Sequence, residues 1–236
     1  GEEWVVDTVS RNGEHKVLAI WKYDKREANH APFVYFGIDA KGGIGKAEEA
    51  VIAYACGCLD ALGWQWGPTH IEIMLVDRNN NGGNGNAAAA AAAPEPVLIE
   101  INAGRWNGEE FQYLAELCYG YDVLEATLDA YLDEEAWQQI PHAPGELRVH
   151  GTNCKLVARE GGPLKESPAI AHAEALACME SLMHFEPLYS EEGEEVTPTI
   201  DLNSCAGYAH LVHADPEVIK RDYETMHGLD LFAVDS

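Results

Sequence analysis

Apolar and polar residues alternate through the first forty positions in a pattern that predicts strands. The run EEWVVDTV begins at Glu2, the segment Ser10-Arg11-Asn12-Gly13 interrupts it, and HKVLAIWKY returns. Asn-Gly between two such runs favours a tight hairpin turn, because both residues tolerate positive φ. A third strand, PFVYFGI, follows a polar loop. From Lys46 to Leu62 apolar residues instead recur at helical spacing, which predicts an amphipathic helix ended by Gly63. Two further strands, THIEIMLVD and PVLIEINA, flank the stretch RNNNGGNGNAAAAAAAPE, which has no hydrophobic period and reads as a loop.

Helical patterns then dominate in GEEFQYLAELCYG, YDVLEATLDAYLD and EEAWQQI, the last stopped by Pro141. Residues His142 to Gly145, between Pro141 and Pro144, form the expected boundary, giving a first domain over 1–140 and a second over 145–236. The second restarts with a strand near ELRVHGTNCKLVA and continues with a helix from Ala169 to His184. A strand around VTPTIDL, the segment GYAHLVH and a helix PEVIKRDYETMHGL follow, with Asp215 as N-cap and Pro216 in the first turn. Both parts read as α+β. The insert at 79–95, low in complexity from Asn79 to Ala93, is expected to be disordered and dispensable, since loop closure costs grow only logarithmically.

Charge narrows the partners. With 15 basic and 40 acidic residues among 236, the net charge of −25 disfavours nucleic acid and anionic membrane surfaces as general partners. No eighteen consecutive apolar residues occur, and no signal peptide is visible in a sequence that begins at Gly1. The six cysteines lack the density of a small disulfide framework, so reduced thiols in the cytoplasm are expected, with an organelle lumen or stroma as the alternative. Cys56-Gly-Cys58 lies in the predicted helix, where neighbours two apart diverge and make a poor metal clip. Lys41-Gly42-Gly43-Ile44-Gly45-Lys46 superficially matches a phosphate loop. Ala40 stands where the first glycine would be and Ala47 replaces the Ser/Thr, so a plain loop entering a helix is expected.

The chemistry gathers on the two strands beside the insert. Residues two apart in a strand share a face, which aligns His70 with Glu72 and Glu100 with Asn102. A hairpin across the insert would bring two carboxylates and an amide oxygen to one patch, a donor set suited to Mg²⁺. The plainer alternative is two half-exposed strands with polar outer faces. Imidazole is a poor Mg²⁺ ligand, so His70 reads equally as a structural residue. Trp64, Trp66 and Trp106 are expected in packing, with stacking on a base or substrate as the alternative. His150, His210 and His213 lack zinc-ligand spacing, and Glu191-Glu192-Gly193-Glu194-Glu195 reads as a solvated loop.

Several segments together, GEEWVVDTVSRNGEHKV, ALGWQWGPTHIEIM, VLIEINAGRWNG, YDVLEATLDAYLD and LVHADPEVIKRDY, resemble the second half of an ATP-grasp ligase related to the L-amino acid ligases. The likeness covers nearly the whole chain outside the insert. It implies an ATP-grasp C-terminal subdomain, an antiparallel sheet with helices, followed by a small α+β domain. It implies ATP and Mg²⁺ as cofactors, with Mn²⁺ as an alternative ion, and a reaction joining a carboxylate to an amine through an acyl phosphate. By the same resemblance Glu3 would contact the ATP ribose, while Glu72, Glu100 and Asn102 would hold metal. Arg105 would steady the transferring phosphate or the acyl phosphate. Lys22 or Lys25, in WKYDKR, either reaches a phosphate or decorates the surface. Gly104 sets Arg105 one residue beyond the family's usual Glu-x-Asn-x-Arg spacing.

The sequence begins at the segment that opens this half, so the flap and most of the adenine site of the family are not in it. The expectation is half an enzyme, completed by a missing N-terminal half, a partner chain or a homo-oligomer. The alternative is a non-catalytic nucleotide- or metabolite-binding module.

Overall fold

The computed structural model describes residues 1–76 and 94–235, with Glu109 described through its backbone alone. The expectation for the insert from Asn79 to Ala93 therefore lies outside the described residues. Two compact units emerge, Gly1–Lys22 with Ala40–Arg148, and Tyr23–Asp39 with Val149–Ser236.

The first unit opens with strand β1 (Glu2–Arg11), which turns at Asn12 and Gly13 into β2 (Glu14–Ala28). Both turn residues have positive φ, 51° and 79°, as the Asn-Gly signal requires. Residues of β2 up to Lys22 belong to this unit, and β3 (Ala31–Ala40) lies in the second unit up to Asp39. Helix α1 (Lys46–Leu62) follows, ended by Gly63 in the left-handed conformation at φ 63°. Then come β4 (Gly67–Val76), β5 (Glu95–Ala103), α2 (Glu109–Tyr119), α3 (Val123–Leu132) and α4 (Glu134–Gln139). The strands of this unit pair antiparallel in the order β5-β4-β1-β2.

Strand alternation divides the sheet into two chemically different faces. Trp4, Val6, Ile20, Ile71 and Ile73 point to one face, where the apolar stripe of α1, Val51, Ala55 and Leu59, packs on them. Leu59, Ile71 and Ile73 have no exposed surface, and each such side chain contributes roughly 1.5–3 kcal/mol of burial. On the other face Trp21 meets Phe111 and Tyr119 edge-on, with ring centroids 5.1 and 5.9 Å away. The Tyr119 hydroxyl donates to the Ile20 carbonyl at 2.6 Å and accepts from the Ile20 amide at 3.0 Å, which ties α2 to β2. Lys16, 2% exposed, donates from Nζ to the carbonyls of Trp137 and Ile140, both at 2.6 Å, and closes the end of α4.

The glycines of Lys41–Lys46 serve packing. The Gly43 amide donates to the Gly145 carbonyl at 3.0 Å, and a Cβ on Gly43 would lie 2.1 Å from the Pro144 oxygen. No side chain fits there.

The second unit contains β6 (His150–Lys155), the short β7 (Gly162–Pro163), α5 (Pro168–Ala171) and α6 (Ala173–Ala177). It continues with β8 (Leu182–Pro187), β9 (Glu195–Val196), β10 (Gly207–His213) and α7 (Pro216–Gly228). Its main strands pair antiparallel in the order β3-β6-β10-β8. Ile219 and Met226 of α7 join Cys154, Leu156, Ala209 and Leu211 in its core. Asp215 caps α7 by accepting from the Glu217 amide at 2.9 Å, with Pro216 in the first turn as the sequence predicts.

Three sequence expectations change. The helix expected from Ala169 to His184 is two short helices followed by β8, because Leu182–Pro187 pairs with β10 and long-range pairing overrides local preference. Ser181 donates to Asp222 from both its amide and its hydroxyl at 2.8 Å, which pins the chain where β8 begins. The strand expected around VTPTIDL reduces to Glu195–Val196, since Pro198 offers no amide for a ladder. Tyr23–Asp39 belongs to the second unit rather than to a first domain over 1–140, because β2 extends for fifteen residues and β3 pairs with β6.

Candidate active site

The polar face of the first unit's sheet gathers the residues singled out on β4 and β5. In their antiparallel pairing His70 stands opposite Asn102 and Glu72 opposite Glu100. The register then shifts and Ile73 faces Leu98, so Ile99 is the extra residue of a bulge next to Glu100. On the other side of β4, Asp7 stands opposite His70 and Val5 opposite Glu72. Opposed residues share a face, which makes two adjacent rows: Asp7, His70 and Asn102, then Val5, Glu72 and Glu100.

Exposure rises from the centre of this face to its rim. Asp7 and His70 are each 2% exposed, Glu72 is half-buried, and Glu100 on β5 is exposed. His70 Nδ1 lies 2.7 Å from Asp7 Oδ1, and its Nε2 lies 3.3 Å from Glu72 Oε1. Burial on its own would lower the pKa of His70. Hydrogen bonds and charges from Asp7 and Glu72 outweigh it and raise the value to about 9. The second oxygen of Asp7 accepts from Trp21 Nε1 at 2.8 Å. Asn102 Nδ2 donates to Glu100 Oε1 at 2.7 Å, which leaves the amide oxygen of Asn102 as a further acceptor.

The chemistry of this donor set fits a divalent cation. Like charges directly opposed across a strand pair repel, and a cation at Glu72 and Glu100 offsets that repulsion. Two carboxylates with an amide oxygen suit Mg²⁺ or Mn²⁺, which take oxygen ligands and retain water or phosphate in the remaining positions. Among the described residues there is no group of three or more His, Cys, Asp or Glu side chains placed to hold a metal ion.

The other predicted residues fall in different places. Glu3 is on the same face of β1 as Asp7, opposite Met74 of β4. Arg105 is exposed beyond Gly104, whose φ is 80°, and its Nε donates to the Trp106 carbonyl at 3.4 Å. Lys22 stands opposite Trp4 and therefore on the α1 face of the sheet, away from the carboxylates. Its Nζ donates to Glu2 at 2.6 Å and sits 5.4 Å from the centre of the Trp4 ring. Lys25, in the second unit, lies over the rings of Tyr23 and Tyr35. Trp64 packs in the α1 core, and Trp66 stacks on Tyr131 with centroids 5.5 Å apart.

Asp7 and Trp21 escaped the sequence reading. The available signal was an acidic residue inside the apolar run WVVDTV, in step with Glu3 and Val5.

No protein-family model matches the chain. Dapdiamide A synthase from Enterobacter agglomerans is 23% identical over 228 residues, covering 94% of this chain and 47% of that protein. Among solved structures, an L-amino acid ligase from Bacillus licheniformis superposes with a TM-score of 0.69 at 17% identity, over 97% of this chain and 50% of that one. A carboxyaminoimidazole ribonucleotide synthase from Aspergillus clavatus, complexed with ATP, gives 0.55 at 14% identity, over 96% and 50%. The chain thus spans about half the length of the proteins it matches.

Proposed function

Starting from a chain that has the fold of ATP-grasp carboxylate–amine ligases, we propose that it forms the metal-holding part of such a ligase, acting on ATP, a small carboxylate and an amine of the amino-acid type. The observation that carries this is the opposition of Glu72 to Glu100, with Asn102 beside them, on the sheet face left free by α1. Glu72, Glu100 and the Asn102 oxygen would hold Mg²⁺. When bound, the ion neutralises phosphate charge, which is the main requirement of phosphoryl transfer.

The chemistry runs in two displacements. A carboxylate oxygen of the first substrate attacks the γ-phosphorus, the bond to the bridging oxygen breaks, and ADP leaves. The amine nitrogen then attacks the acyl carbon, the bond to the phosphate oxygen breaks, and inorganic phosphate leaves as the nitrogen loses a proton. On this reading Glu3, on the same face as Asp7, would serve the ribose, and Arg105, exposed just past β5, the phosphate that is transferred. The rest of the ATP site is, on the same reading, supplied by residues other than those named here.

ADP release and amide formation, followed by coupled assay and mass spectrometry with amino-acid pairs in the full-length protein, test this. Glu100→Gln is expected to lower turnover at least about 100-fold, with an unchanged circular dichroism spectrum. Undiminished turnover in that variant overturns the assignment. Nucleotide binding with no turnover in the wild type would instead favour a non-catalytic module.

A further inference from the structure

We propose that Asp7 is a positioning residue for the carboxylate site, acting through His70 to fix the orientation of Glu72; the proposal rests on the metal-holding role given to Glu72. Asp7 lies on β1, one strand removed from Glu72 and two from Glu100, and its contact with the site runs through His70. Every contact in the sequence is short and confined to one sheet face. Trp21 Nε1 donates to one oxygen of Asp7 at 2.8 Å, and the other oxygen meets His70 Nδ1 at 2.7 Å. The far nitrogen of the ring faces Glu72 Oε1 at 3.3 Å.

The burial of this pair has a physical consequence. A carboxylate that is 2% exposed is tolerable only when paired and hydrogen-bonded. Asp7 has both, from an indole and an imidazole. Both ring nitrogens of His70 face a carboxylate oxygen, Nδ1 that of Asp7 and Nε2 that of Glu72, and contacts at both ends of the ring fix its plane. The ring therefore transmits the position of Asp7, set by the indole of Trp21, to one oxygen of Glu72. Trp21 is itself wedged against Phe111 and Tyr119, so the chain of contacts is anchored in packed structure at one end and opens to the exposed rim at the other.

Outer partners of metal-holding side chains commonly set affinity by a factor of about 10–100. Asp7→Asn keeps the shape and can still accept from Trp21, but its single oxygen cannot serve the indole and the imidazole together, so the contact that orients the His70 ring is lost. Mn²⁺ titrated into the full chain and followed by electron paramagnetic resonance reads the site without requiring turnover. The expected result is a loss of about 10-fold or more in Mn²⁺ affinity for Asp7→Asn, measured at a temperature where the variant is folded by circular dichroism. Glu100→Gln, measured beside it, separates the two ideas. If Glu100→Gln abolishes Mn²⁺ binding and Asp7→Asn leaves it intact, the positioning role is overturned and the metal site stands. If Glu100→Gln also leaves binding intact, the metal site itself fails. Should Asp7→Asn not fold, Trp21→Phe loosens the same carboxylate while keeping an aromatic ring; unchanged Mn²⁺ affinity there overturns the proposal.

Discussion

Mild acid should loosen the second unit through one histidine. His227, on α7, donates from Nε2 to the Phe36 carbonyl at 3.1 Å, and that nitrogen lies 3.4 Å from Cys154 Sγ. Its ring meets Tyr223 edge-on at 4.5 Å. Burial, and after it the charges of Arg26 and Arg159, push its pKa down to about 4 from the ordinary 6.5, while the Phe36 carbonyl and Asp24 oppose them without prevailing. Above pH 6.5 the ring is neutral in both folded and unfolded chains, so the stability is fully present. As pH falls from 6.5 toward 4 the unfolded chain takes up a proton that the folded chain refuses, and stability is lost. Below about 4 both forms are protonated and the loss stops. A shift of this size corresponds to a total on the order of 3 kcal/mol, of which about 2 kcal/mol is gone by pH 5. Urea unfolding of the wild type and His227→Gln between pH 7 and pH 4 isolates the effect, because glutamine can donate to Phe36 but does not titrate. The stability advantage of the wild type should shrink by about 2 kcal/mol between pH 7 and pH 5. An advantage constant to within about 0.5 kcal/mol across that range would refute the reasoning.

Two further changes test the geometry of the first unit. Lys22→Ala removes a partly exposed pair on the α1 face, so stability should fall by less than about 1 kcal/mol and turnover of the full-length protein should stay within about 3-fold; a 10-fold drop in turnover would place Lys22 in the site after all. Asp122→Ala takes away the N-cap of α3, whose oxygen accepts from the amides of Leu124 at 2.6 Å and Glu125 at 3.2 Å. Thermal unfolding should report a loss of about 1 kcal/mol, and no change would mean that water replaces the cap at no cost.

Much of the first unit was legible because its signals are local. The Asn12-Gly13 turn, the span of α1 with its Gly63 stop, and the alternation that puts His70 with Glu72 and Glu100 with Asn102 all follow from periodicity and turn chemistry. What escaped depends on partners distant in sequence. Nothing near Leu182 announces that it will pair with β10, and its surroundings read as helix until Asp222 fixes Ser181. The face occupied by Lys22 follows from its register against Trp4, and the irregularity between Asp7 and Thr8 interrupts that register within the same hairpin. Asp7 was overlooked for a related reason. A lone acid among valines gains a role only once His70 and Trp21 arrive from two other strands.

The closure of α4 by Lys16 bears on the order in which the first unit is built. Six residues are too few for a helix to persist in water by itself. Asp133 holds its start by accepting from the Ala136 amide, but its end is held by an ammonium 121 and 124 residues earlier in the chain. Contacts of such separation close late, after shorter loops have formed. The helix is thus a record of completed assembly: its amides gain protection from exchange only when the opening hairpin has already come home.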